Sequence, residues 1–162
     1  VSVYYRAGVG ASLMPVRTAR VFSGSATATP RLVQIAGLGG VPADATAVVV
    51  NTEVFAPTAA GYVRVTPAGL NPGVATQEFA KGQAISNLVV VKLVGGKIQV
   101  VLSAGSAKVL MDVSGYYRAG VGASFMPLPT ARVFSGSATT TPRQVQIAGL
   151  GGLPADPTAV VV

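Results

Sequence analysis

The sequence predicts an all-β fold, a β-sandwich of about seven to eight short antiparallel strands per repeat. Three observations lead there. The apolar residues fall into short valine-rich runs that end at Gly, Pro or Lys, and no stretch keeps a helical period. Gly and Pro, 20 and 11 of 162 residues, supply turns at short spacing. Residues 1–50 also align without a gap on residues 113–162, with eight differences, so the chain repeats at an offset of 112. A period of that length exceeds a solenoid repeat and fits one small domain. A small closed β-barrel is the alternative architecture.

In chain order, residues 19–22 are a weak strand candidate. RLVQIA at 31–36 alternates and reads as a strand, and GLGGVPADAT after it reads as a loop. TAVVVNTEVF and YVRVT flank the six-residue loop APTAAG and read as a hairpin. Pairing Phe55 with Tyr62 sets Glu53 opposite Arg64, an expected ion pair, with valines on the other face. Residues 75–80 are a second weak candidate. NLVVVKLV, Gly95-Gly96, KIQVVLS, Ala104-Gly105 and SAKVLMDV then read as a three-stranded meander. Pairing Val94 with Lys97 puts Val91, Val100 and Val109 in one row and Leu93, Ile98 and Met111 in the next. The same register sets Lys97 opposite Asp112, a second expected ion pair. The other face of the meander carries Leu88, Val90, Lys92, Gln99, Val101, Lys108 and Leu110. It is too apolar for a face left to water.

The expected organisation is an end of a preceding repeat with linker at 1–16, a complete β-domain at 17–117, an inter-repeat linker at 118–128, and the first strands of a next repeat at 129–162. The linker segment, YYRAGVGASFMPLPTAR, has only two charges, both Arg, and its Val, Phe and Met suit packing along a domain better than a solvated spacer. The incomplete copy reads either as a window on a longer array or as a unit completed by another chain through strand exchange. An unfinished sheet offers an open edge in both cases.

Composition narrows the role. Half the residues are hydrophobic and 10% are charged, yet no apolar run is long enough for a membrane helix, so membrane insertion is not expected. Such a chain is expected to hide its surface in self-contacts. The net charge is +7, from twelve basic residues scattered singly between Arg6 and Arg143. A clustered patch is what nucleic acid requires, so none is expected as a partner. The charge reads as solvated single side chains or as attraction to an anionic polymer.

The chain has no Cys and no His, which removes thiolate and imidazole chemistry. One period holds four carboxylates, Asp44, Glu53, Glu78 and Asp112, spread too widely for a calcium loop. GVGAS and GLGG lack the context of a nucleotide-binding loop and read as turns. No catalytic residue, cofactor or metal is expected. Asn51, Asn87, Lys92 and Glu53 are the residue types of a Lys–Asn crosslink, although Asn51 and Glu53 read as ordinary outward strand residues.

The motif blocks resemble a known family. GVPADATAVVVNTEV at 40–54, TAAGYVRVTPAG at 58–69, ATQEFAKGQAISNLVVVKL at 75–93 and VLMDVSGYY at 109–117 are similar, in that order, to the tandem repeat domains of secreted, multi-repeat actinobacterial cell-surface proteins. The family start often carries an Asp-Thr-Arg element, which PTARVFSGS at 129–137 lacks. The resemblance implies a secreted, wall- or surface-associated, all-β building block.

The expected function is therefore structural: an extracellular repeat domain that packs on copies of itself into a rod, fibre or surface layer. The residues expected on the assembly face are Leu88, Val90, Val101, Leu110, Tyr116, Tyr117, Phe125 and Met126. The alternative is a module that binds anionic cell-wall polymer or glycan through repetition and its tyrosines.

Overall fold

Alternation of valines with polar residues decides which side chains turn inward, because successive side chains of a strand point to opposite faces. In the computed structural model, which describes residues 11–71, 73–120, 132–137 and 139–157, that alternation builds two four-stranded antiparallel sheets. The chain divides into two units, Val1–Ala123 and Ser124–Val162. The strands lie in the first unit: β1 (Ala11–Thr27), β2 (Arg31–Gln34), β3 (Ala47–Phe55), β4 (Gly61–Pro67), β5 (Gln77–Phe79), β6 (Ile85–Lys92), β7 (Lys97–Leu102) and β8 (Ser106–Ala119). The first sheet runs β1-β8-β3-β6 and the second β2-β7-β4-β5. Among the described residues neither sheet closes on itself, so the fold is a β-sandwich and not a closed barrel.

The core lies between the sheets. Val48, Val50, Val54, Val109, Met111 and Val113 come from the first sheet, and Val33, Val63, Val65, Ile98, Val100 and Leu102 from the second. Burying each such side chain contributes about 1.5–3 kcal/mol.

The connections differ from those expected. Consecutive strands cross from one sheet to the other at every step except β4 to β5. The expected hairpin of TAVVVNTEVF and YVRVT is such a crossing. β3 pairs with β6 and β8, whereas β4 pairs with β5 and β7. The loop between them turns sharply at Ala56, φ 49°, and is pinned where Ser106 N donates to Thr58 Oγ1 at 2.9 Å. The expected meander survives only at its turn. Val94 and Lys97 form a bridge across Gly95 and Gly96, at φ 57° and 73°, the backbone a type I′ turn needs. Beyond that bridge the strands part, and Leu93 N donates to Thr46 O at 2.9 Å on the first sheet.

The two rows of expected neighbours, Val91/Val100/Val109 and Leu93/Ile98/Met111, are all buried core residues. They sit on facing sheets rather than side by side on one. An arch that crosses a sandwich turns the same side chains inward as a hairpin, so alternation alone does not separate the two.

β1 is the largest addition to the sequence reading. It spans 17 residues where a short strand was expected, and it takes in residues 11–16, expected to belong to a preceding repeat and its linker. β8 likewise continues to Ala119, past the expected domain end at 117.

The second unit is described at residues 132–137 and 139–157, where none of the described residues is in a strand. The expected first strands of a next repeat are therefore not formed there.

Candidate functional site

The outer face of the first sheet is set by register. Leu110 lies between Ser23 and Glu53, and Glu53 is next to Ser86. In the adjacent row Arg20, Asp112, Asn51 and Leu88 lie side by side across all four strands. Val49 lies between Gly115 and Val90, and Tyr117 between Leu13 and Ala47. Of the expected assembly residues, Leu88, Val90, Leu110 and Tyr117 thus share this face. Leu88 is 49% exposed.

The other expected residues go elsewhere. Val101 sits on the second sheet opposite Arg64 and is buried, because β7 belongs to that sheet. Tyr116 is 8% exposed and packs in the core opposite Val48. A register shift between Val49 and Val50 inserts an extra residue in β8, which turns every later side chain to the opposite face. Phe125 and Met126 lie outside the described residues.

The expected ion pairs are also replaced. Asp112 is held by Arg20, whose Nε and Nη2 donate to its two carboxylate oxygens at 2.8 and 2.9 Å. This fork holds the Asp112 carboxyl below the usual carboxylate range and raises the Arg20 guanidinium. Lys97 is on the other sheet, opposite Gln34. Arg64 does not meet Glu53, since β3 and β4 are in different sheets. Its guanidinium donates to Asn71 Oδ1 and to the Tyr62 hydroxyl at 3.4 Å, and it lies 5.2 Å above the Tyr62 ring centre. A pair missed from sequence joins Arg118 Nε to Asp44 Oδ2 at 2.7 Å. Nothing in the residue spacing marks it, because Asp44 comes from a loop far away in the chain.

The outer face of the second sheet is covered in part by its own chain, with Leu32 left exposed. Thr66 Oγ1 donates to Leu70 O at 2.8 Å, and the Gln99 amide bonds Gly69 N and Leu70 O at 3.4 Å each. Val101, Gln99 and Thr66 are buried beneath that loop and its neighbours. At the rim of this sheet is a shallow open depression of ≈ 570 Å³, lined by Tyr62, Glu78, Phe79 and Gln83 among others. Glu78 is its carboxylate. Among the described residues no three acidic side chains gather as a metal site would need. The crosslink types are also apart: Asn51 pairs with Leu88 and Lys92 with Ala47, while the Asn87 amide donates to Thr76 O at 3.1 Å.

No family model matches the chain, and no curated protein matches it. Among solved structures the chain is similar to one described with the words "Bacillus endospore appendages form a novel family of disulfide-linked pili". The identity is 13%, over 74% of this chain and 100% of that one, at a TM-score of 0.38. A likeness that distant carries no functional argument.

Proposed function

We propose that this chain is a structural repeat domain of an extracellular surface protein that packs on copies of itself into a rod, fibre or surface layer. One observation carries the reading. The outer face of the second sheet is partly covered by its own loop, which buries Thr66 and Gln99 and leaves Leu32 exposed, whereas that of the first presents Leu88, Val90, Val49 and Leu110 around the Arg20–Asp112 ion pair. A partly apolar sheet face whose Leu88 no described residue covers fully suits a second sheet laid against it. Leu88, Val90 and Leu110 lie outside the duplicated segment, so a second copy of that face comes from another chain. The family resemblance belongs to this proposal: its motif blocks fall on β3, β4, β5 to β6, and β8.

Sedimentation of the purified chain over a range of concentrations tests the reading. The expected result is association that Leu88→Asp with Leu110→Asp weakens while circular dichroism stays that of the parent. A parent chain that remains monomeric throughout overturns it.

The alternative, binding of anionic cell-wall polymer or glycan, has its own support in the Arg64–Tyr62 stack beside Glu78 at the open depression. Aromatic faces beside polar groups suit sugar rings. Titration with wall polysaccharide, compared between the parent and Tyr62→Ala, separates the two readings.

A further inference from the structure

We propose that the two outer faces of the sandwich are complementary halves of one contact, with the first-sheet face of one chain seated on the second-sheet face of another. The inference deepens the self-packing reading and rests on it, because it names the surface that occupies the face of Leu88 and Leu110.

The second-sheet face has an apolar patch of its own. Leu32, Gln99 and Thr66 form one row across β2, β7 and β4, and Leu32 is 55% exposed. Leu70, 56% exposed, is tied to the same row through its carbonyl, which accepts from Thr66 Oγ1 and from the Gln99 amide. Two open leucines on one row offer apolar area to a partner. The next row sets Val101 beside Arg64. The Arg64 guanidinium donates to Asn71 and to the Tyr62 hydroxyl, and among the described residues it meets no carboxylate.

The first-sheet face has the matching parts. Glu53 is half-buried between Leu110 and Ser86, and Leu88 is in the adjacent row. Among the described residues no Lys or Arg is in an ion pair with Glu53, and Arg20 is held by Asp112. Each face thus carries one unneutralised charge near its middle, of opposite sign, one row from an exposed leucine. A row is two residues along a strand, about 7 Å in either sheet. Sheets packed face to face keep their strands within about 30° of each other, so this spacing carries across the contact. Glu53 set over Arg64, with the leucine rows on the same side, brings Leu88 to Leu32 and Leu70. The other charges, Lys92 and Lys108 on the first face and Glu78 and Lys97 on the second, lie in the outermost rows.

Like faces lack this match. Two second-sheet faces bring one Arg64 towards another, and two first-sheet faces take Glu53 out of water with no partner at the middle. A charge buried without a counter-charge is unfavourable, and the unlike pairing relieves both. The two faces are on opposite sides of the sandwich, so every chain offers one of each. Chains then add head to tail in a contact that need not close.

Two variants of the full chain read which faces meet. Leu88→Asp with Leu110→Asp disables the first-sheet face, and Leu32→Asp with Leu70→Asp disables the second. Their circular dichroism should match the parent, and Leu32→Gln serves as the second-face variant if the aspartates disturb the fold. In sedimentation each aspartate variant alone is expected to stay monomeric where the parent forms a series of growing species. Mixed in equal amounts, the two are expected to form a complex of two chains and nothing larger, since each supplies the face the other lacks. Glu53→Gln is expected to weaken the parent's association about tenfold. A second-face variant that associates as strongly as the parent overturns the proposal and retains the self-packing reading, because the first-sheet face then packs on itself. A mixture that stays monomeric while the parent associates overturns it as well. A parent that is monomeric throughout removes both.

Discussion

Residues 31–45 and 143–157 are nearly the same peptide in two situations. In the first, Val33 is 3% exposed and paired into the second sheet; in the second, its counterpart Val145 is 40% exposed and in no strand. What the copies share is local. Leu38 N donates to Ile35 O at 3.0 Å and Leu150 N to Ile147 O at 3.1 Å, while Val41 N donates to Leu38 O and Leu153 N to Leu150 O, both at 2.9 Å. Arg31 lies 5.0 Å from the Phe22 ring centre, and Arg143 lies 5.1 Å from that of Phe134. What they do not share is every contact made with a distant strand. Turns are written in the peptide itself, but a strand exists only when another strand takes up its backbone groups.

Matched substitutions sharpen that contrast. The largest expected difference is at Ile35, fully buried, against Ile147. Ile35→Ala is expected to destabilise the first unit by about 2–5 kcal/mol. Ile147→Ala is expected to change its stability by less than about 0.5 kcal/mol. Urea unfolding of both variants measures the difference, and equal effects would break the comparison.

A smaller difference is expected at Gly24 and Gly136. A Cβ at Gly24 would lie 2.9 Å from the tip of Phe22, and one at Gly136 would lie 2.8 Å from that of Phe134. Phe22 is packed against the core whereas Phe134 is exposed and free to swing aside. Gly24→Ala is therefore expected to lower stability by about 1–2 kcal/mol and Gly136→Ala to have little effect. Thermal melts of the two variants read this.

Arg20 and Arg132 should differ in acid. Asp112 titrates lower in the folded chain than in the unfolded one because Arg20 is bonded to it. Its contribution is thus present above the unfolded carboxylate pKa and is lost as pH falls through the folded value. Arg20→Ala should flatten that part of the stability profile below the usual carboxylate range, whereas Arg132→Ala should leave it unchanged. Both ends of the bridge are partly solvated, so high salt should shrink the effect. Smallest of all, Leu32→Gln copies a natural difference onto a side chain that is 55% exposed, and a change under about 0.5 kcal/mol is expected by denaturant titration.

Much of the sandwich was legible in the residues because alternation reports facing. Val48, Val50 and Val54 of β3, Val100 of β7 and Val109 and Val113 of β8 turn inward as their spacing says, and the Gly95-Gly96 turn forms with Val94 bridged to Lys97. Pairing was not legible, since hairpins and sheet-crossing arches hide the same side chains. The ion pairs fell with the pairing: Glu53 was matched to Arg64 and Lys97 to Asp112 across ladders that do not exist. Half of the expected assembly face reached one surface. Tyr116 was lost to a bulge that no residue type announces, and Val101 was lost to a change of sheet. The last five residues of β1, Ser23-Gly24-Ser25-Ala26-Thr27, have too little apolar area to look like a strand. It becomes one because β8 supplies a long partner edge.

Residue-resolved hydrogen exchange of the monomeric chain at low concentration tests this account most directly. The amides of 31–34 should exchange slowly, by global opening of the first unit, while those of 143–146 exchange at nearly the rate of an unstructured peptide. Equal protection of the two segments would contradict the claim that partner strands, and not the local sequence, make these residues a sheet.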